Sequence, residues 1–174
     1  ANSWYLLNVA ESQIQQKLHP EIESAINNIT SSEFMAFYFY EQLAWHFNRD
    51  SVSLPGFHTF FKKRACGLRR IARKFMEYQN KRGGRVILTD IQTYPKQDGW
   101  TPLEALAKTI LVETGITQAL TKQNALADSV IDLKELSDHV TQLQRAGPGI
   151  GEYLYDKDSI NNGSYFDHVN RDNY

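Results

Sequence analysis

Cysteine is nearly absent from this chain. Cys66 is the only one, so no internal disulfide can brace the fold and the redox compartment stays open. Long apolar runs are missing as well. The longest strongly apolar stretch, Phe34 to Tyr40, is far too short to cross a bilayer, which excludes a spanning helix and a membrane partner. No charged-then-apolar leader opens the sequence, which suits a cytoplasmic chain and equally a mature secreted one. Acid is lacking in one place only. No Asp or Glu occurs from Ser51 to Met76, and ten of the nineteen Lys and Arg residues fall between Lys62 and Arg85, with Glu77 as the single acid among them. The net charge of −1 hides this lopsided distribution.

What is present is helical punctuation. The length of 174 residues suits one domain, taken here as a body flanked by an arm over 1–18 and a tail over 159–174. Pro20 fits a first helical position, with Glu21 and Glu23 as first-turn acids, and the pattern predicts a helix to about Arg49. Its apolar positions are Ile22, Ala25, Ile26, Ile29, Ala36, Tyr40 and Leu43. A second helix is predicted from Leu54-Pro55 to Gly83-Gly84. Residues 85–100 read as an extended connection, with Val86, Ile87 and Leu88 strand-like and Pro95 a breaker.

Thr101, Pro102 and Glu104 then form a capping-box signature. No Gly or Pro separates Gly115 from Gly147, so the helical pattern runs from Pro102 to Ala146. As one helix that would extend roughly 67 Å, too long for a domain of this size to cover. Either a turn lies near Ala127-Asp128-Ser129, or residues are lacking there. A short last helix is predicted from Glu152 to about Asp158. The expectation is all-α: a four-helix bundle with one long crossover and a small fifth helix.

Five stretches carry a family resemblance. They are Ala25-Ile26-Asn27, Phe47-Asn48-Arg49-Asp50, Gln79-Asn80-Lys81-Arg82-Gly83-Gly84-Arg85, Lys134-Glu135-Leu136-Ser137-Asp138-His139-Val140 and Gly151-Glu152-Tyr153-Leu154-Tyr155-Asp156-Lys157. In this order the chain resembles the ferritins from about Gln13 to Ile160. The resemblance implies a ferritin-like bundle whose copies close into a 24-subunit shell that stores iron mineral. It lapses from Leu126 to Val130, where family residues for a turn and half a helix are absent. The acids of the iron-entry channels would fall in that gap.

A di-iron carboxylate site needs several oxygen donors, usually with a His, projected inward from facing helices. The resemblance places Glu33 and Glu113 at ligand positions and Tyr40 beside the centre. It also places Leu68 and Ile71 where a bridging Glu and a His should stand, and neither side chain can bind a metal. Gly67 replaces a further acid, and the fourth-helix Gln is lost or becomes Ser129. Glu33 and Glu113 then have a second reading as satisfied buried acids, one protonated or paired with an Arg such as Arg69.

On the second helix Phe61, Ala65, Leu68, Ala72, Phe75 and Met76 are the predicted core face. Lys63, Cys66, Gly67, Arg70 and Arg73 or Lys74 fall on another face, which the resemblance puts on the cavity side. Clustered basic charge there should repel iron ions. The five His residues show no ligand spacing and are expected to be structural or superficial. Asn28-Ile29-Thr30 and Asn162-Gly163-Ser164 are sequons.

The expected function is a non-catalytic shell subunit for iron storage or a yolk-like or secreted protein reserve. It would form shells of its own or mix with active subunits, and its iron would be weakly held or mineral-associated. The alternative is a container, empty or filled with RNA or another anion. A third reading is a slow ferroxidase built on Glu33 and Glu113.

Overall fold

The computed structural model describes residues 19–96, 98–121 and 129–160. They form five helices: α1 (Pro20–Phe47), α2 (Pro55–Lys81), α3 (Pro102–Thr121), α4 (Ser129–Ala146) and α5 (Ile150–Asp158). No strand occurs among the described residues, so the Val86 to Leu88 run is extended chain without a sheet partner. The helical pattern from Pro102 to Ala146 is divided, as a bundle requires, into α3 and α4, which pack against each other, and residues 122–128 between them lie outside the described residues. The arm over 1–18 and most of the tail, including Asn162, lie outside the described residues.

Local chemistry sets the helix ends. Pro20 and Pro55 each open a helix, where the missing amide proton costs nothing. The capping box forms as its spacing predicts. The Glu104 amide donates to Thr101 Oγ1 at 3.2 Å, and the Thr101 amide donates to Glu104 Oε2 at 3.1 Å. Lys96 Nζ adds a bond to the same carboxylate, and this chiefly lowers the Glu104 pKa to about 2. At the other end of α2, Gly83 takes φ 75°, and Gly83 and Gly84 donate back to Asn80 and Gln79. That is the Schellman arrangement, which needs a residue tolerant of left-handed backbone.

The crossover lies along α1 and is tied to it by side chains. Asn27 donates to the Arg85 carbonyl at 3.0 Å and accepts from the Ile87 amide at 3.1 Å. Gln42 Nε2 reaches the Lys96 carbonyl at 2.6 Å, and Arg49 pairs with Asp98 at 2.6 Å. The strand-like side chains themselves face outward, with Ile87 56% and Leu88 62% exposed.

The core is an aromatic block between α1 and α2. Phe47 stacks on Phe61 at 5.5 Å, Phe57 adjoins both, and Trp100 at the end of the crossover meets Phe39 edge-on. Leu106, Leu136 and Leu143 complete it from α3 and α4. Ile22, an apolar position of the predicted first helix, is 49% exposed in the first turn of α1. Phe75 and Met76 are half-buried rather than core, near the far end of α2.

Helix α5 is fixed to the start of α2. Leu54 offers no side-chain cap to α2. Asp156 of α5 supplies one instead, accepting from the Phe57 amide at 2.7 Å while only 3% exposed. A carboxylate at a helix N-terminus also suits the dipole. Gly56 is what permits the approach, since a Cβ there would collide with the Asp156 backbone carbonyl.

Candidate metal centre

Glu33 and Tyr40 lie two turns apart on the inward face of α1 and are 1% and 0% exposed. Glu113 of α3 is 0% exposed. From α2 the facing side chains are Arg64 and Leu68, both buried. The structure therefore brings an arginine into the place where oxygen or imidazole donors would be needed.

Arg64 grips Glu113 with two parallel bonds. Nε donates to Oε1 at 2.7 Å and Nη2 donates to Oε2 at 2.6 Å, with the guanidinium side chain only 3% exposed. Tyr40 Oη donates to the same Oε1 at 2.8 Å. Burial above all, and then the negative charge of Glu113, hold the Tyr40 phenol well above its usual pKa, so it remains a donor. Glu113 thus accepts three bonds, two of them from a planar cation whose fork matches a carboxylate.

The paired acid expected from the sequence is present, but its partner is not Arg69. Arg69 is exposed and lies over the Phe37 ring at 5.7 Å. Sequence reasoning does not single out Arg64, because it closes the basic run Lys62-Lys63-Arg64. Its spacing gave the clue: three residues after Phe61 and four before Leu68 is the buried stripe of α2.

The other predicted positions are placed as follows. Leu68 is 0% exposed within the core. Ile71 is half-buried and lines an open apolar groove of about 370 Å³ with Ile26, Lys74, Phe75 and Tyr78. Gly67 is buried, not part of the outward basic face, because it lies three residues after Arg64, on the side turned to the bundle. Lys63 and Arg73 are exposed and Arg70 is half-buried. Asn28 is exposed on α1.

Among the described residues no three His, Cys, Asp or Glu side chains converge as metal ligands would. Two buried histidines have other partners. His46 Nε2 meets the Trp100 carbonyl at 3.0 Å, and buried His139 meets Tyr155 Oη at 2.5 Å. Among the described residues, those packed against Glu113 do not fit a di-iron centre. An iron bonded to Glu113 would come within a few ångströms of the guanidinium. At about 4 Å and an effective dielectric near 20, each pair of unit charges repels by roughly 4 kcal/mol, and a divalent ion doubles that.

A long crossover joining two helix pairs, a short fifth helix, and acids at Glu33 and Glu113 with Tyr40 between them form one arrangement. The family described as Ferritin-like domain matches residues 23–143. The chain belongs to the ferritin family. Among similar ferritins, the soma ferritin of Lymnaea stagnalis is 41% identical over 172 positions, covering 88% of this chain and 98% of that one. The ferritin middle subunit of Aquarana catesbeiana is 37% identical over 175 positions, covering 88% and 99%. The ferritin heavy chain of Echinococcus granulosus is 36% identical over 171, covering 87% and 98%. In the first alignment 88% of 174 residues is about 153, so about 19 of the 172 positions have no counterpart in this ferritin.

Proposed function

We propose that this ferritin is an iron-storage shell subunit that contributes wall rather than ferroxidase chemistry. Its copies assemble with one another or with subunits that oxidise iron. Membership of the ferritin family supports storage and assembly. The observation that carries the non-catalytic part is the fork of Arg64 on Glu113. Oxidation of paired Fe(II) by oxygen needs two irons held by several anionic donors. Here a resident cation neutralises one acid, and the buried α2 residue one turn on from it, Leu68, is hydrocarbon and supplies no donor.

Aerobic Fe(II) addition to the purified protein, followed by ferric absorbance and by iron content, tests this directly. The expected trace is no faster than protein-free buffer. A rapid oxygen-dependent phase that disappears in Glu33→Ala would overturn the proposal.

A further inference from the structure

The outward face of α2 is a stripe of cations with little to balance it. Lys63, Arg70 and Arg73 are exposed or half-exposed and pair with no carboxylate among the described residues. Other basic residues of this helix are otherwise engaged, Arg64 in the core, Lys62 over the Trp45 ring and Arg69 over the Phe37 ring. Seven residues separate Lys63 from Arg70, so both point to one side, and Arg73 follows one turn on. Arg70 and Arg73 are therefore neighbours, with Cβ atoms about 5–6 Å apart in this spacing. No acid interrupts the stripe before Glu77.

We infer that this face binds phosphate groups, with Arg70 and Arg73 holding one phosphate and Lys63 meeting the next along a chain. Two adjacent guanidinium groups offer planar forks of donors to tetrahedral oxyanions, and neither fork is consumed by an ion pair among the described residues. The ligand is inorganic phosphate, free or as polyphosphate, rather than nucleic acid. Single-stranded nucleic acid is gripped by aromatic rings interleaved with cations, and no aromatic residue separates Lys63 from Lys74 on this helix. The inference goes beyond the shell reading and rests on it only for placing the face within an enclosed space. There the absence of acid would draw phosphate in and leave mineral growth to other subunits.

Three probes are titrated into the full-length protein: orthophosphate, linear polyphosphate and an oligothymidylate. Salt is set at about 0.1 M and then about 1 M, where screening lengths are roughly 10 Å and 3 Å. Both phosphate forms should bind at the lower salt, polyphosphate more tightly, and both should weaken at the higher. Arg70→Gln with Arg73→Gln should weaken binding by roughly tenfold or more. Arg70→Lys with Arg73→Lys keeps the charge but not the forks and should fall between. Lys157→Gln, an exposed cation on α5, should bind as the parent does.

Equal phosphate affinity in the double Gln variant overturns the inference, and so does tighter binding of the oligothymidylate than of polyphosphate. Circular dichroism confirms that each variant is folded. Gel filtration of the same samples reads assembly separately: a lone chain that still binds phosphate refutes the shell and leaves the stripe intact.

Discussion

Arg64→Met is the sharpest perturbation of this ferritin. The side chain keeps most of its length but loses the charge and both bonds to Glu113, which stays 0% exposed with Tyr40 as a remaining donor. Removing one partner of a buried ion pair leaves an uncompensated charge and costs about 3–5 kcal/mol. For a domain of this size each kcal/mol lowers Tm by about 2–4 °C, so the melting point should drop by roughly 6–20 °C. Replacing both partners, Arg64→Met with Glu113→Leu, removes the orphaned charge and should recover most of the loss. Denaturant unfolding of the two single variants and the double, at one protein concentration, gives the coupling energy. A loss below about 1 kcal/mol in Arg64→Met, or a double variant no better than the single, would refute the assignment of Arg64 as the counter-charge of this site.

Other consequences can be measured independently. Arg64→Gln, with the fork gone, should gain a thermal stabilisation by divalent cations that the parent protein lacks; equal shifts would count against a guanidinium in the cation's place. Burial lowers the His139 pKa to about 4, below the ordinary 6.5, so folding favours the neutral ring. That contribution is complete above pH 6.5 and is lost as pH falls towards 4, by up to about 3 kcal/mol. His139→Gln should flatten the stability–pH curve across that window. Thr101→Ala should cost about 1 kcal/mol by opening the cap of α3, read as a lower Tm. Gly56→Ala should cost about 1–3 kcal/mol and expose α5 amides to hydrogen exchange, because the new methyl displaces Asp156.

The bundle was legible because its signals are local. Pro20, Pro55, the Thr101-Glu104 box and Gly83-Gly84 each act within a turn of themselves, and the helices begin or end beside them. The last helix starts two residues before the predicted Glu152, at Ile150, since Gly149 rather than a polar cap precedes it. Contacts across the fold were harder to see. Nothing near Leu54 shows that α2 is capped from α5, a hundred residues away, by Asp156. The site divides in the same way. Glu33, Tyr40 and Glu113 could be placed by resemblance, and Leu68 could be recognised as inert. The identity of the buried partner depended on which of several cations faces inward, and Arg64 alone among its basic neighbours falls on the stripe of Phe61 and Leu68.

A guanidinium at the middle of the bundle has one more result. Where loosely held ions neutralise buried acids, the interior gains and loses charge with the supply of metal. Here the neutralising group is part of the polypeptide, made at the same moment as the acid it serves. On the proposed reading, the charge on Glu113 should stay balanced whether the surroundings are rich in iron or stripped by a chelator, and the stability of the subunit should not follow either.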